Sequence, residues 1–316
     1  MLSAERTVDV LRAAGEPSRL RILALLAREE LAVLEICKVL DQSQPRVSRH
    51  LRLLAEAGLV ERFPDGAWVF YRPAAEGESR TLADGVLATL DAADPVLLRD
   101  AERLEAVRAE RRTAADQYFA RNAATWDEIR SLHVAEDRVE AAIQAAAGPG
   151  PFQRLVDLGT GSGRMLTLLG PRSASCLGLD LSQQMLNVAR ARVEAAGLTA
   201  CDLRHGDIFA TRLPDGCADL VVIHQVLHYL GDPAAAVREA GRLTAPGGRL
   251  VIVDFAPHAL EVLRDQHQHR RLGFSAAEMK RWMAAAGLRQ AGLETLSPAR
   301  SDGLTVCVWT AERSPA

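Results

Sequence analysis

The sequence lacks three features that would each point to one class of protein: an excess of positive charge, a membrane-spanning segment and a signal peptide. It has no excess of positive charge, since 38 Lys and Arg residues stand against 41 Asp and Glu residues and the formal net charge is −3. This balance excludes a wholly basic nucleic-acid binder but permits a local basic surface. No apolar run approaches the roughly 20 residues of a membrane-spanning helix. The charged N-terminus also lacks the apolar segment of a signal peptide.

Cysteine is scarce as well. The five thiols are odd in number and widely spaced, at positions 37, 176, 201, 217 and 307. Such a set is no disulfide framework and is typical of free thiols in a reducing compartment. We therefore expect a cytoplasmic protein with no membrane partner. The last four cysteines fall in or beside predicted strands, where we expect them to be buried.

The 316 residues are 48% hydrophobic and suffice for two globular domains. Residues 1–76 have the pattern of short helices followed by a β-hairpin, and residues 77–114 are helical. The third part, residues 115–316, contains the Gly-Pro-Gly-Pro break at 148–151, after which apolar strands alternate with helices. This alternation predicts a mostly parallel sheet covered on both faces.

A basic helix stands out in the N-terminal part. Ser43 is a natural N-cap, and Pro45 fits the first turn of the helix. Val47, Leu51 and Leu54 share one face, so that face packs inward and the basic side chains remain outside. A Pro-Asp-Gly turn then joins two β-rich segments into a hairpin. This order predicts a winged helix-turn-helix whose basic helix enters the major groove of DNA.

The predicted contacts to double-stranded DNA lie on this helix and its hairpin. Arg and Gln can bond base edges, phosphates favour a helix N-terminus, and hairpin arginines can reach flanking phosphates. The set is Ser43, Gln44, Arg46, Ser48, Arg49, His50, Arg52, Arg62 and Arg72. Two alternatives stay open: the charges alone also fit a solvated helical face, and His50 fits a packed position as well as a backbone contact.

Three N-terminal segments belong together: "EPSRLRILALL", "SQPRVSRHLRLLAEAGLVERF" and "GAWVFYR". Over about residues 5–75 they resemble the ArsR-type (arsenic-repressor) family of dimeric winged-helix regulators. The resemblance implies that the helix from Ser43 to about Gly58 reads operator DNA and that residues 62–72 form the wing. It also implies that outer helices build a homodimer, for which residues 77–114 are the predicted dimerisation and linker region.

The sequence departs from this family at the metal site. Many members sense metals through a cysteine pair on the second helix, but Ala32 and Leu34 stand at those positions and Cys37 is alone. The helix near residues 78–93 has no histidine for the other family site. Since a soft-metal site needs three or four thiolate or imidazole ligands, we predict no metal site and a different effector.

The C-terminal part opens on a glycine loop, "RLVDLGTGSGR". Glycines at a strand-to-helix turn allow a ligand to approach bare backbone. A dinucleotide fingerprint would need glycine at position 164 or 166, where Arg164 and Leu166 stand. Asp180 ends the next strand, where a carboxylate can accept ribose hydroxyls, and Asp207 follows a third strand. Acidic residues repel a pyrophosphate, so the set favours S-adenosylmethionine (SAM) over NAD.

Four segments carry a second resemblance: "VDLGTGSGR", "GLDLSQQML", "GDIFATRLPDGCADLVVIHQVLHYL" and "LTAPGGRLVIVDF". Over about residues 115–312 they resemble class I SAM-dependent methyltransferases, closest to the UbiE-like group. The resemblance implies that the loop surrounds the methionine moiety, Asp180 holds the ribose and Asp207 the adenine amine, with Met185 and Ile208 beside the adenine. The implied cofactor residues are Asp157, Gly159, Thr160, Gly161, Gly163, Asp180, Leu181, Met185, Gly206, Asp207, Ile208 and His224.

Alternatives accompany several of these residues. Met185 also fits a helix core position. Tyr118 and Trp126, in a segment that looks like the lid of such domains, are expected to cover the cofactor or to belong to the core.

His224 and His228 follow the fourth strand and are the candidate catalytic residues. A base is needed only if the methyl acceptor carries a proton, so packing or cofactor contact is the alternative for both. His258, His267 and His269 predict a polar helix over the substrate mouth, or a metal site with Asp265 as the nearby carboxylate.

The chain is therefore expected to join an N-terminal α+β winged helix-turn-helix and a helical linker to a C-terminal α/β Rossmann-like methyltransferase domain. One hypothesis makes that domain a sensor of SAM or S-adenosylhomocysteine (SAH) that biases DNA binding by the dimer. The alternative is a working methyltransferase of an unidentified small molecule with autoregulatory DNA binding. A third, metalloid detoxification, is disfavoured by the missing cysteine pair.

Overall fold

The structure is a computed structural model that describes residues 2–65, 68–74, 77–122, 135–298 and 303–315. The chain divides into two compact units, Met1–Thr113 and Ala114–Ala316, called here the N-terminal and the C-terminal unit. Among the described helices, none combines the length and apolar character that crossing a bilayer would require.

The N-terminal unit is built from helices with a small sheet. Its helices are α1 (Ala4–Ala14), α2 (Pro17–Leu26), α3 (Val33–Leu40), α4 (Gln44–Glu56), α5 (Glu78–Ala88) and α6 (Pro95–Asn122), of which α6 extends past the unit boundary. Its strands are β1 (Leu31–Ala32), β2 (Val60–Asp65) and β3 (Trp68–Pro73). The predicted winged helix-turn-helix is confirmed, with α3 and α4 as its two helices and β2–β3 as its wing.

Local sequence explains how α4 is placed. Asp41 ends α3 in the left-handed conformation, with φ 56°, and so turns the chain toward Ser43. Ser43 occupies the N-cap position, although its side chain makes no capping hydrogen bond. Val47, Leu51 and Leu54 are fully buried, as their spacing predicted, so the opposite face of α4 is left for solvent or a partner.

The wing contains one strand that the sequence did not indicate. In the sheet order β1-β3-β2, the two residues of β1 pair with Tyr71 and Phe70 of β3 in antiparallel register. A two-residue strand has no periodicity of its own, so only this pairing defines it. The pairing ties the base of the wing to the start of α3.

Helix α6 is fastened to the helix-turn-helix by charged groups. Arg21 of α2 makes a bidentate pair with the buried carboxylate of Asp100, with both N···O distances 2.6 Å. Arg103 donates to the carbonyl oxygen of Val39 at 3.2 Å and approaches Asp41 Oδ2 at 3.5 Å. The last turn of α3, which leads into α4, is therefore capped by a side chain of α6.

The C-terminal unit alternates strands and helices, as predicted. Its strands are β4 (Phe152–Leu158), β5 (Ser173–Asp180), β6 (Cys201–His205), β7 (Ala218–His224), β8 (Thr244–Phe255), β9 (Arg289–Leu296) and β10 (Val306–Glu312). Its helices are α7 (Glu136–Ala147), α8 (Arg164–Leu169), α9 (Gln183–Ala195), α10 (Pro233–Leu243), α11 (Val262–His267) and α12 (Ala276–Ala285).

These strands form one seven-stranded sheet in the order β6-β5-β4-β7-β8-β10-β9. The pairs from β6 to β8 are parallel, and β10 is antiparallel to both of its neighbours. The order reverses between β4 and β7. In such sheets ligands bind beyond the carboxyl ends of the strands at the point of reversal.

Helices cover both faces of this sheet. Along β7, Val221 and Ile223 belong to one buried cluster, while Leu220 and Val222 belong to another. Successive residues of a strand point to opposite faces, so two apolar clusters mean two buried faces. The predicted mostly parallel, doubly covered sheet is confirmed.

Candidate functional site

The outer face of α4 presents three arginines. Arg46, Arg49 and Arg52 are exposed and recur every three residues, and Gln44 is exposed in the first turn. Ser43 is exposed and Ser48 half-buried on the same helix. Exposed guanidinium groups at the start of a helix-turn-helix recognition helix suit the major groove and its phosphates.

His50 lies apart from these arginines. Its ring is largely buried, with Nδ1 3.4 Å from Glu16 Oε2 at the N-cap of α2. Burial lowers the pKa of His50 because it disfavours the charged ring, while the Glu16 carboxylate opposes the shift. The structure therefore places His50 in the packed position that the sequence left open.

The two hairpin arginines differ from one another. Arg62 on β2 is exposed. Arg72 on β3 is engaged within the wing, where it pairs with Glu61 at 3.1 Å and Glu30 at 3.4 Å and lies 4.8 Å from the Phe63 ring centroid. Arg72 would have to break these ion pairs before it could bind a phosphate, whereas the exposed Arg62 is the better placed of the two.

The glycine loop after β4 is shaped for close approach. Gly159, Gly161 and Gly163 all have positive φ, at 74°, 52° and 77°. A Cβ on Gly159 would lie 2.5 Å from Val226 Cγ2, because the segment after β7 packs directly on the loop. Only glycine fits this position without displacing Val226.

Side chains and backbone hold the loop in place. Thr160 donates from Oγ1 to Asp157 Oδ2 at 2.6 Å, and both residues are buried. The carbonyl oxygen of Leu179 at the end of β5 accepts from the N–H groups of Gly159 and Thr160, each at 2.8 Å. The loop is thereby pinned to the adjoining strand.

Asp180 joins the loop to the end of β5. Its Oδ2 accepts from the Gly161 N–H and its Oδ1 from the Ser182 N–H, both at 2.8 Å. An ionised carboxylate has about four acceptor sites, more than these two N–H groups fill. The sequence placed Asp180 at this strand end but could not show its bond to the loop.

The residues predicted around the adenine lie next to Asp180. Gly206 donates from its N–H to the Asp180 carbonyl at 3.0 Å, and Asp207 Oδ1 accepts from the Phe209 N–H at 2.9 Å. Ile208 is buried, whereas Leu181 is exposed. These positions are contiguous along the carboxyl ends of β5 and β6.

Met185 is buried at the start of α9, and its predicted place beside the adenine stays a prediction. The covering role predicted for Trp126 lies outside the described residues, as does the side chain of Tyr118.

The two histidines after the fourth strand of this unit occupy different settings. His224 is half-buried at the end of β7. His228 is buried, and its Nδ1 lies 2.8 Å from Oδ1 of Asp254 near the end of β8. Sequence reasoning missed Asp254, whose only signal is an acidic residue inside the apolar stretch "LVIVDF".

The three later histidines join an aromatic group around His228. The His269 ring centroid is 4.1 Å from that of His228 and 5.8 Å from that of Phe255, and His258 meets Phe255 edge-on at 6.1 Å. His267 lies 6.5 Å from His269. Within the described ranges, no group of three His, Cys, Asp or Glu residues has a geometry suited to a metal ion.

Two thiols in the C-terminal unit are neighbours, and one of them, Cys201, is half-buried rather than buried as expected, as is Cys217. Cys176 on β5 and Cys201 on β6 are register partners. Both sulfurs would lie 3.3–3.4 Å from a Cβ on Gly170. Burial raises the pKa of both thiols and so disfavours their reactive thiolate forms.

The edge of the sheet at the carboxyl ends of β4, β5 and β6 fits a positively charged nucleoside better than a phosphorylated one. It carries the carboxylates of Asp157, Asp180 and Asp207, which would repel a pyrophosphate. A sulfonium nucleoside brings no phosphate and matches this donor and charge set.

Comparison with known families and proteins agrees with the two units. The bacterial regulatory protein arsR family matches residues 16–62, and a methyltransferase domain matches residues 156–252. An HTH-type transcriptional regulator of Methanocaldococcus jannaschii is 40% identical over 70 residues, which cover 21% of this chain and 76% of that protein.

The C-terminal unit has relatives of its own. The demethylmenaquinone methyltransferase of Thermus thermophilus is 38% identical over 107 residues, 33% of this chain and 48% of that enzyme. A chain from the complex between the Haloferax volcanii Trm112 methyltransferase activator and a methyltransferase superposes with a TM-score of 0.52 at 22% identity. The superposition covers 63% of this chain and 98% of the other, and it shows the fold alone.

The chain spans 30% to 48% of the length of three curated relatives that it matches. The matches nevertheless confirm both resemblances seen in the sequence. Through its N-terminal unit the chain belongs to the arsR family of bacterial regulatory proteins, and it joins to that unit a methyltransferase domain of the class I fold.

Proposed function

We propose that the protein is a homodimeric, DNA-binding transcriptional regulator whose methyltransferase domain binds SAM or SAH as its effector. One observation carries the proposal: an arginine-faced reading helix and a glycine loop tied to Asp180 occur in the same chain. The thiol pair by which many arsR-family members sense metals is absent, because Ala32 and Leu34 stand at those positions. The regulator therefore needs another ligand, and the second domain offers one.

DNA binding follows from the face that α4 presents. Arg46, Arg49 and Arg52 would contact base edges and phosphates in the major groove, with Arg62 of the wing on a flanking phosphate. The overall charge is −3, so the positive charge that would attract DNA is confined to this face. Because its arginines would bind phosphates, DNA binding should weaken steeply as salt concentration rises.

Dimerisation is supported by apolar side chains that the N-terminal unit leaves exposed. Val8 and Leu11 lie one turn apart on α1, and Val96 and Leu98 lie in the first turn of α6. Exposed apolar clusters of this kind mark protein–protein contacts. A two-fold dimer would place two reading helices on a palindromic operator.

The cofactor would be held by residues of the C-terminal unit alone. Asp180 would accept the ribose hydroxyls, Asp207 the adenine amine, and Ile208 would provide an apolar wall. Asp157 and the glycine loop would face the methionine moiety. When bound, SAM supplies a methyl group on a sulfonium sulfur, and SAH differs from it by that methyl group and its charge.

Regulation requires that the effector bind one state of the dimer more tightly than the other. A coupling free energy of about 1–3 kcal/mol corresponds to a 5- to 150-fold change in operator affinity. SAM and SAH differ in charge, so carboxylates at the edge can discriminate between them. The proposal predicts that at least one of the two shifts operator affinity by this amount.

The test is titration of SAM and SAH into the full-length protein, paired with binding to the DNA upstream of its own gene. Asp180→Ala should abolish binding of both ligands and leave operator binding of the unliganded protein intact. Asp202→Ala, which removes an exposed carboxylate on β6, is the matched control and should change neither. The proposal fails if neither ligand binds, or if both bind and operator affinity moves less than twofold.

A second function, methyl transfer to a small molecule, is favoured by one observation. His228 and Asp254 form a buried pair at the carboxyl edge of the sheet. A sensor of SAM or SAH has no need of such a pair. DNA binding would then be autoregulatory.

A further inference from the structure

We propose that His228, oriented by Asp254, is the proton acceptor for methylation of a small aromatic hydroxyl compound. The inference rests on the proposed binding of SAM to the C-terminal unit, and it adds an activity, a base and a class of acceptor. It is carried by four features of the described residues: the geometry of the pair, its position near the cofactor loop, its aromatic surroundings and the residues that cover it.

The pair has the geometry of an oriented base. Asp254 is fully buried, and its Oδ1 lies 2.8 Å from His228 Nδ1 and 2.8 Å from the Phe255 N–H. Since Oδ1 acts as an acceptor, Nδ1 of His228 is the donor, and the lone pair of the neutral ring is on Nε2. This is the tautomer that a general base needs.

The carboxylate is also ready to stabilise a positive ring. Asp254 Oδ2 is buried and has no hydrogen-bond partner among the described residues. A buried carboxylate with few donors gains more than a solvated one from a neighbouring positive charge. When His228 takes up a proton, Asp254 is therefore in place to pair with the imidazolium.

The pair lies beside the cofactor loop. Val226, two residues before His228, packs directly on Gly159, the first glycine of the loop. Strand β7 adjoins β4 in parallel register, and β8 adjoins β7, so their carboxyl ends share one edge. An acceptor held against His228 would thus face the position predicted for the methionine moiety.

The aromatic side chains around His228 favour a methyl acceptor with a flat ring. The His228 ring has neighbours on several sides, with centroid distances of 4.1 Å to Tyr229, 5.2 Å to Phe255 and 4.1 Å to His269. Offset and tilted ring pairs at such distances are favourable arrangements for aromatic groups. A planar acceptor with a hydroxyl group fits these walls better than an aliphatic one.

His269 covers the base in this structure. The N–H groups of Arg270 and Arg271 donate to the His228 carbonyl at 2.8 Å and 3.0 Å, and they hold the adjoining His269 ring over that of His228 at an angle of 31°. We infer that the acceptor ring replaces the His269 ring on entry. His269 would then be a placeholder that competes with the acceptor.

The step conserves atoms and electrons. The acceptor oxygen forms a bond to the methyl carbon of SAM, the methyl-donor substrate, while its proton moves to Nε2 of His228. The bond between that carbon and sulfur breaks with its electron pair on sulfur, which leaves SAH. The imidazolium then releases its proton to solvent. The products are a methyl ether, SAH and one proton.

The experiment compares two probe acceptors at pH 8, catechol, which is mostly un-ionised, and 4-nitrocatechol, which is ionised. The full-length protein is incubated with SAM, and the methyl ether is quantified by mass spectrometry. His228→Ala should lower kcat on catechol at least 100-fold, the usual span of general-base catalysis, and on 4-nitrocatechol less than tenfold. Asp254→Asn should show the same split.

Two further variants separate the roles. His269→Ala should lower KM for both probes because it removes the competing ring. Asp202→Ala, which removes an exposed carboxylate on β6, is the control and should leave kcat and KM unchanged. Equal loss on both probes in His228→Ala would show a structural role and overturn the proposal, and so would a wild-type protein that binds SAM but methylates neither probe. Absence of SAM binding would instead refute the cofactor proposal.

A readout without catalysis decides the orientation. Nitrogen-15 NMR of histidine-labelled protein, with His228→Ala for assignment, should show Nδ1 protonated and Nε2 bare in the neutral ring. Asp254→Asn should reverse or mix the two tautomers. An unchanged tautomer in that variant would remove Asp254 as the orienting residue.

Discussion

Replacing Arg21 by alanine should destabilise the N-terminal unit far more than removal of an ordinary surface arginine. The guanidinium of Arg21 contacts both oxygens of Asp100 at 2.6 Å, and the Asp100 side chain is only 4% exposed. Arg21→Ala leaves this carboxylate buried without its cation. Removal of one partner of a buried pair costs about 3–5 kcal/mol. Arg80→Ala breaks an exposed pair with Asp84 and should cost about 0–1 kcal/mol.

Amide hydrogen exchange measures this loss within the full-length chain. A cost of 3–5 kcal/mol lowers the protection of the slowest amides of α2 and α6 by roughly two to four decades. The double variant Arg21→Met, Asp100→Leu removes both charges together and should recover most of the loss. The reasoning is refuted if Arg21→Ala costs no more than Arg80→Ala, or if the double variant is less protected than the single one.

Three other predictions concern separate parts of the chain. Arg49→Ala should weaken operator binding by about 1–3 kcal/mol in fluorescence anisotropy and leave SAM affinity unchanged; full operator affinity would remove it from the reading surface. The two hydrogen bonds from Arg242 lower the pKa of Glu239 below its ordinary 4.5, so the stability that they contribute is present above that pH and is lost as the pH falls further. Glu239→Gln should therefore weaken the fall of the melting temperature at acid pH in a thermal-unfolding series, and an unaltered fall would contradict this. Gly159→Ala would place a Cβ on a residue with φ 74° and against Val226, so it should distort the loop and lower SAM affinity at least tenfold by calorimetry. Wild-type affinity in this variant would show that the loop does not hold the cofactor.

Most elements could be predicted because their signals are local. Ser43 and the stripe on α4 defined the reading helix, and the apolar strands before Asp157 and Asp180 defined the sheet. Strand β9 was missed, since its eight residues form an exposed edge with little alternation and pair only with β10. Such a strand is specified by its partner, which sequence periodicity does not reveal.

The site divides in the same way. The glycine loop and Asp180 could be predicted because spacing along the chain places them at strand ends. The pairing of His228 with Asp254 could not, since the two residues are 26 positions apart and meet only because β7 and β8 are neighbours. Cys176 and Cys201 illustrate the same limit, because only the β5–β6 register brings them together.

The cap that Arg103 places on the end of α3 makes operator reading sensitive to rotation of α6. A slip of α6 by one residue would move Arg103 about 1.5 Å along the axis and swing it by about 100°. Such a change takes the guanidinium off the Val39 carbonyl and Asp41 altogether. Rotation of α6 would therefore release the turn that leads from α3 into α4.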